Sequence, residues 1–377
     1  MIIGIDAHNL EGNRTGVGRY LYNLLRVWSS GDLQISPGVK FILYFKDEIP
    51  ADVPKSRLFE MKLLKVSSTA KFMHWNLWRA AKKDKVDILF CPAYIAPIFW
   101  KGKLALTLHD IIYEVHPEWF NWQSQADKIL LKWVSKRSAE KSDLIFVPSE
   151  FSKSEVAKYY KIDPKKIIVT YEATDPGLTA KEFQTEELAG QYEIDKKFIF
   201  YIGSIFSRRH LPEIIGAFEK IATSGDDYQL LISGRDYTKG KIVDQMTDEL
   251  NQRLDRQAIL RVDYISDADL KLLYRRCAFF IWLSDYEGFG LPPVEAMAGG
   301  APVITSGSTS LKEMVGEAAL LIKNNSDVNE IYQAMKRLTE DENLRQELKK
   351  KGEEQAAKFS WRVCAEETFN ALMRVKS

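Results

Sequence analysis

The sequence is poor in the features that would set it apart from ordinary globular chemistry. Three cysteines, Cys91, Cys277 and Cys364, stand far apart in 377 residues. Odd in number and without metal-ligand spacing, they support neither a disulfide framework nor a zinc site and read as buried, reduced thiols. No apolar run approaches the roughly 18 residues of a bilayer span, and there is no internal repeat or low-complexity tract. Net charge is almost absent, with 53 Lys and Arg against 52 Asp and Glu, which excludes a broadly cationic nucleic-acid binder. The opening residues Met1-Ile2-Ile3-Gly4-Ile5-Asp6 read as a strand and not as a signal peptide, so a cytoplasmic protein is expected.

What remains is ordinary: 45% hydrophobic and 28% charged residues, the balance of a globular protein. The length suits two domains of roughly 150–200 residues. The near-zero net charge conceals an asymmetry. Residues 1–180 carry 26 Lys and Arg against 20 Asp and Glu, and residues 181–377 carry 27 against 32, so the halves are expected to meet different partners.

Short apolar runs alternate with amphipathic stretches: 2–5, 41–45, 87–90, 104–108, 144–147 and 167–170, then 198–202, 229–233, 258–262, 278–283, 302–305 and 319–322. That rhythm predicts βαβ units and two doubly wound α/β domains, each Rossmann-like. Residues 172–197 are polar, contain Pro176 and Gly177 and lack a period. The expected organisation is therefore a domain over 1–175, a linker over 176–195, a second domain over 196–358 and a closing helix over 359–377.

Two segments carry anion-binding chemistry. After the first strand, Gly16-Val17-Gly18 precedes a helix expected over 20–28. Leu21 occupies the third position of a dinucleotide fingerprint, so the turn is either a phosphate cradle or a plain tight turn. In the second half, Glu287-Gly288-Phe289-Gly290-Leu291-Pro292-Pro293-Val294-Glu295 follows a buried strand, with its prolines suited to the first turn of a helix. Amides of Phe289, Gly290 and Leu291 would then face an anion. Glu287 and Glu295 would address two parts of one ligand, each able to accept two hydrogen bonds from a diol.

At these residues the chain resembles the family 4 retaining glycosyltransferases of the GT-B fold. Matching segments are the Gly16 turn, Leu108-His109-Asp110, Val147-Pro148-Ser149-Glu150, Ile202-Gly203-Ser204, Arg208-Arg209, Glu287 to Glu295 and Phe359-Ser360-Trp361. The resemblance implies two domains facing across a cleft, closing during turnover, with the final helix crossing back to the first. It implies a catalytic set of His109, Glu287, Arg208 and Arg209. Donor contacts would come from Gly16, Gly203, Ser204, Gly234, Arg235, Val262, Tyr264, Gly288, Phe289, Gly290, Leu291 and Glu295, with Glu295 on the nucleotide ribose. The family's usual Arg-Lys pair is Arg208-Arg209 here, a guanidinium fork in place of a point charge. His210 stands where Asn is common, a change from which no effect can be read.

Asp267-Ala268-Asp269, which matches the Asp-x-Asp metal motif, follows Ser266 and reads as a helix cap. The departing diphosphate is therefore expected to be stabilised by arginines and amides, with no metal or other cofactor. No second carboxylate has nucleophile credentials, and the resemblance implies a front-face mechanism in which the leaving phosphate takes the acceptor's proton.

From Lys62 to Lys103 the chain holds nine Lys and Arg and only Asp84 and Asp87 as acids, interleaved with Phe72, Trp75, Trp78, Phe99 and Trp100. The pattern fits an anionic acceptor or membrane surface, through Trp75, Trp78, Lys82, Lys83, Lys85 and, beyond the patch, Asp110. It equally fits an amphipathic helix with its tryptophans in the core. The expected function is transfer of a hexose, first mannose from GDP-mannose, to a saccharide or polyisoprenyl-diphosphate-linked acceptor in polysaccharide or lipopolysaccharide biosynthesis, at the inner membrane face. A nucleotide-sugar 2-epimerase of the same fold, an inactive nucleotide-sugar binder and a nicotinamide dehydrogenase are the alternatives. The last lacks a complete Gly-x-Gly-x-x-Gly.

Overall fold

Parallel strands order both halves of the chain. The computed structural model describes residues 1–375 except 13, 15, 121–123, 179–191, 193 and 226. They fall into two compact units, Met1–Glu172 with Ser360–Ser377, and Ala173–Phe359.

The first unit holds a seven-stranded sheet in the order β3-β2-β1-β4-β5-β6-β7. Its strands are β1 (Ile2–Asp6), β2 (Lys40–Phe45), β3 (Phe59–Leu63), β4 (Ile88–Cys91), β5 (Lys103–Thr107), β6 (Leu144–Val147) and β7 (Ile167–Val169). The second unit holds a six-stranded sheet in the order β10-β9-β8-β11-β12-β13. It comprises β8 (Lys197–Ile202), β9 (Tyr228–Ser233), β10 (Ile259–Val262), β11 (Phe279–Trp282), β12 (Val303–Ser306) and β13 (Ala319–Ile322). All pairings are parallel. Helices cover both faces, so most strands are buried continuously and read as unbroken apolar runs. The α/β, doubly wound architecture expected from the alternation is present in each unit.

β3 has no counterpart among the expected strands. It lies at the sheet edge, and its sequence Phe-Glu-Met-Lys-Leu keeps Glu60 and Leu63 exposed, so it never forms an apolar run. Charges on such an edge also discourage pairing with another chain.

Helix α1 (Gly16–Ser30) begins four residues earlier than expected. Gly16 therefore belongs to the first helical turn and not to a preceding loop. Gly18 explains the early start: a Cβ there would collide with the Asn9 carbonyl, so only glycine lets the helix close onto the turn after β1. The expected linker over 176–195 lies largely outside the described residues, apart from one 3-10 turn at Pro176–Leu178 and Tyr192, whose hydroxyl donates to Asp269 at 2.7 Å.

Helix α5 (Trp361–Arg374), numbered after α2 (Gln125–Lys141), α3 (Leu211–Thr223) and α4 (Leu291–Ala298), packs on α1 in the first unit. Trp28 Nε1 donates to the Ala365 carbonyl at 3.0 Å. The Trp28 ring stacks on Phe41, centroids 5.0 Å apart, and Phe369 lies 6.3 Å from the Phe41 ring. Burying these aromatics contributes on the order of 2–3 kcal/mol each.

Candidate active site

In the second unit the carboxyl ends of β8, β9 and β11 meet. β8 leads into Gly203 at φ 142° and β9 into Gly234 at φ 127°. A Cβ on Gly234 would strike the Gly203 carbonyl, so these turns can touch backbone to backbone only as glycines. Gly234 N–H donates to the Val262 carbonyl at 3.0 Å, which joins the β10 end to the same edge. Behind it the Arg261 guanidinium donates to the carbonyls of Ile232 and Gly234 at 2.9 and 3.0 Å. Ser204 and Arg235 are exposed, and the Tyr264 side chain stands 76% exposed.

Arg208 and Arg209 share one 3-10 turn, Ser207–Arg209. The Arg209 guanidinium lies 3.9 Å over the Trp282 ring and forms an ion pair with Glu287. Side-chain exposures of 10% and 16% show that both charges are largely withdrawn from water. The Arg208 guanidinium lies 4.5 Å over Phe206. Glu287 also accepts from the Ser284 hydroxyl at 2.8 Å. The Ser310 hydroxyl, 2.9 Å from the carbonyls of both Glu287 and Phe289, pins the loop.

Around Gly203, Trp282 Nε1, the Tyr201 hydroxyl and Arg209 Nε are buried and have no hydrogen-bond partner among the described residues. Burial pushes the Tyr201 hydroxyl well up, against the pull of Arg209, so it remains a proton donor. Buried donors rarely stay unpaired. Two of them, Trp282 Nε1 and the Tyr201 hydroxyl, with the guanidinium groups of Arg208 and Arg209 form a cluster of donors suited to an anion.

His210 follows at φ 54°. Its Nε2 is 2.8 Å from Asp285 Oδ1 and its Nδ1 3.5 Å from Glu213. Burial pulls its pKa down, but hydrogen bonds to Asp285 and Glu213 and their charges outweigh it and raise the pKa to about 9. Asn325 Nδ2 donates to the same Asp285 oxygen at 2.9 Å, and Asp285 N–H donates to the Arg208 carbonyl at 3.1 Å. The His210 imidazolium thereby ties the arginine turn to the loop that carries Glu287, a role invisible in the sequence.

Glu295 rides on α4, whose N-cap is Gly290 at φ 98° and whose first turn carries Pro292 and Pro293. Tyr274 donates to Glu295 Oε2 at 3.3 Å. Leu291 opens the helix, while Gly288 and Phe289 are buried behind it. Asp269 is spent locally, accepting from the Ser266 hydroxyl at 2.6 Å and from Tyr192.

His109, Asp110 and Gly16 belong to the first unit. His109 follows β5 with both ring nitrogens engaged: Nδ1 is 2.8 Å from Glu172 Oε1 and Nε2 is 3.2 Å from the Pro92 carbonyl. Since both partners are acceptors, the geometry suits the doubly protonated ring. Burial pushes its pKa down, but Glu172 and the Pro92 carbonyl outweigh it and hold the pKa above the ordinary value. Tyr20 packs edge-on at 4.9 Å. Asp110 accepts from the Ile112 amide at 3.1 Å, two residues on, within the turn that leads into the next short helix. No Cβ contact constrains Gly16.

The basic aromatic segment forms the helical run Thr69–Lys71, Phe72–Leu77 and Trp78–Lys83. Phe72, Met73 and Leu77 enter the core, whereas Trp75 is 43% exposed with Arg79 4.2 Å over its ring. The alternative that places both tryptophans in the core thus fails for Trp75, because the apolar stripe runs through its neighbours. Trp78 lies between Trp75 and Phe99, at 5.8 and 6.1 Å. It lines a groove of about 430 Å³ with Lys82, Lys85, Phe99 and Lys101, and Lys83 is exposed beside it. An adjoining groove is lined by Trp75, Trp78, Phe99 and Lys141.

Lys141 ends α2, and that helix bears a feature without a sequence signal. Ile129, Leu130 and Trp133 are 66%, 58% and 54% exposed. With Arg137 and Lys141 they fall at spacings of three and four, one stripe running toward the groove. Among the described residues no helix is long and apolar enough to cross a membrane.

Paired parallel-sheet units covering the whole chain are shared with solved glycosyltransferases. The Anabaena HepE structure in complex with UDP-glucose matches with a TM-score of 0.70 and 15% identity over 99% of each chain, which defines the class as the GT-B fold. Residues 14–178 match the family described as Glycosyltransferase Family 4, and residues 184–355 match Glycosyl transferases group 1. O-antigen chain mannosyltransferase B of Escherichia coli is 28% identical over 95% of both chains. An N-acetylgalactosamine-N,N'-diacetylbacillosaminyl-diphospho-undecaprenol 4-alpha-N-acetylgalactosaminyltransferase of Campylobacter jejuni is 25% identical over 88% of this chain and 90% of the relative. The chain belongs to the family 4 glycosyltransferases.

Proposed function

We propose that this glycosyltransferase moves mannose from GDP-mannose to a lipid-linked saccharide during polysaccharide assembly, with retention of configuration. The observation that carries the reading is the donor cluster of the second unit, where the unpaired buried Trp282 Nε1 and Tyr201 hydroxyl beside Gly203 accompany the Arg209–Glu287 pair and the turn that carries Arg208. There the arginines and donors receive the diphosphate and stabilise the charge it gains as the glycosidic bond breaks. Glu287 meets the sugar hydroxyls and Glu295 the ribose diol. The arginines and donors are assigned this charge without a metal, and Asp269 of the Asp-x-Asp sequence accepts from Ser266 and Tyr192.

Mannose and a polyisoprenyl-diphosphate acceptor are inferred from the names of the Escherichia coli and Campylobacter jejuni relatives. A peripheral position at the membrane face suits such an acceptor, and the exposed Trp75, Phe99, Ile129, Leu130 and Trp133 among lysines supply a surface for it.

Thermal-shift measurements with GDP and UDP, followed by nucleotide release from GDP-mannose and UDP-glucose, test the donor. Stabilisation by GDP and release of GDP are expected, and an α-linked product by the anomeric one-bond carbon–proton coupling. A response to UDP alone would move the donor to the class bound by HepE, and no response to either would end the transferase reading of this site.

A further inference from the structure

A second histidine stands at the carboxyl edge of the first sheet. β1 lies between β2 and β4, so the strand order reverses at its end, and open α/β sheets bind ligands outside the strand ends at such reversals. Asp6, the last residue of β1, is fully buried. It accepts from the His8 backbone N–H at 3.3 Å and lies 2.7 Å from His8 Nδ1. The carboxylate therefore keeps Nδ1 protonated and fixes the ring plane. His8 Nε2 makes no hydrogen bond among the described residues, and the side chain is 17% exposed.

Burial of a carboxylate is costly unless its oxygens are satisfied. Asp6 Oδ2 has no partner among the described residues, nor has Asn9 Nδ2 three residues on, and both atoms are buried. The turn that carries them is held in place by α1, which approaches Asn9 through Gly18. A buried acid that orients an imidazole and leaves its far nitrogen open is the arrangement by which proteins aim histidine at a substrate hydroxyl. His109, on the same sheet edge, differs in the decisive respect that both its nitrogens are taken.

We infer that His8, oriented by Asp6, binds the acceptor through Nε2, at a hydroxyl of a hexopyranoside carrying a lipid-like aglycone. On this assignment His109 is an internal partner of Glu172. The inference rests on the transferase reading and adds the acceptor's contact to it. Asp6 is a positioning residue and Asn9 completes the polar end of the same turn.

The test is nucleotide release from GDP-mannose and from UDP-glucose, with octyl α-D-mannopyranoside as acceptor and with water alone. In His8→Ala the acceptor KM should rise at least ten-fold, while donor KM and the nucleotide-induced thermal shift stay as in the wild type. His8→Gln, which retains an N–H at similar reach, should recover part of the loss. Asp6→Asn should shift the His8 ring nitrogen resonances toward the other tautomer, an effect that loss of packing alone does not produce. An unchanged acceptor KM in His8→Ala overturns the proposal. So does a fall in nucleotide-induced thermal shift, or a mannoside that fails to accelerate release by the wild type. A wild type that releases nucleotide from neither sugar instead overturns the parent reading.

Discussion

Arg209 and Glu287 form an ion pair largely withdrawn from water, with the guanidinium lying on the face of Trp282. Removing one member of such a pair strands the other, at about 3–5 kcal/mol. Arg209→Ala should therefore lower the melting temperature as well as the rate of nucleotide release, the latter by on the order of 100-fold. Arg209→Lys keeps the charge but loses the planar stacking on Trp282, and should fall between Ala and wild type in both. Melting curves and release assays on the same preparations check this, and a full recovery of rate by Lys would show that the fork has no geometric role.

The two acids should separate in kinetics. On α4, Glu295 accepts from Tyr274 and is assigned to the ribose, so Glu295→Gln is expected to raise donor KM about ten-fold with little change in kcat. Glu287 touches Arg209 at the anion site, and Glu287→Gln should lower kcat at least ten-fold with donor KM less affected. Equal effects on both constants in the two variants would contradict separate contacts.

His210 gives stability a pH dependence. Its pKa is raised from 6.5 to about 9 by Asp285 and Glu213 in spite of burial. The native state thus binds the proton more tightly than the unfolded chain. The contribution is complete below about pH 6.5 and is lost as pH rises through about 9. The urea midpoint should decline across that interval, and His210→Asn should flatten the decline. A midpoint falling as steeply in the variant would assign it to other groups.

The stripe on α2 should bind anionic bilayers. Sedimentation with vesicles of phosphatidylglycerol and phosphatidylcholine is expected to show binding that weakens with salt. Changing Ile129, Leu130 and Trp133 together to Ser should reduce it about ten-fold or more, while nucleotide-induced thermal shifts persist. Undiminished binding would remove α2 from the contact.

The α/β rhythm was readable because buried parallel strands are apolar throughout, as in β2, β9 and β11. β3 escaped because an edge strand with Glu60 and Lys62 has no such run. The Glu287 to Glu295 segment was conspicuous through its glycines, prolines and acids in order. Its supports were not: Trp282 reads as core, and His210 with Asp285 lies 75 residues apart in sequence. Likewise His109 was visible at a strand end, but the Glu172 that occupies its Nδ1 comes from 63 residues further on. Asp6–His8 is local yet carries no motif, and becomes notable only once the sheet order puts it at a reversal. The α2 stripe was hidden because Ile129, Leu130 and Trp133 at helical spacing look like any buried face.

The docking of α5 on α1 sets an order of events during synthesis. Trp28 Nε1 gains its acceptor only when Ala365 arrives, and Phe41, on which the Trp28 ring stacks, gains its Phe369 neighbour at the same point. The second unit, Ala173–Phe359, is contiguous in sequence and can complete its core as soon as it leaves the ribosome. The first unit, although begun first, must wait with one face of α1 uncovered until Trp361–Arg374 has emerged. Vectorial folding from the amino terminus is thus inverted in this chain: the half made second is the half completed first.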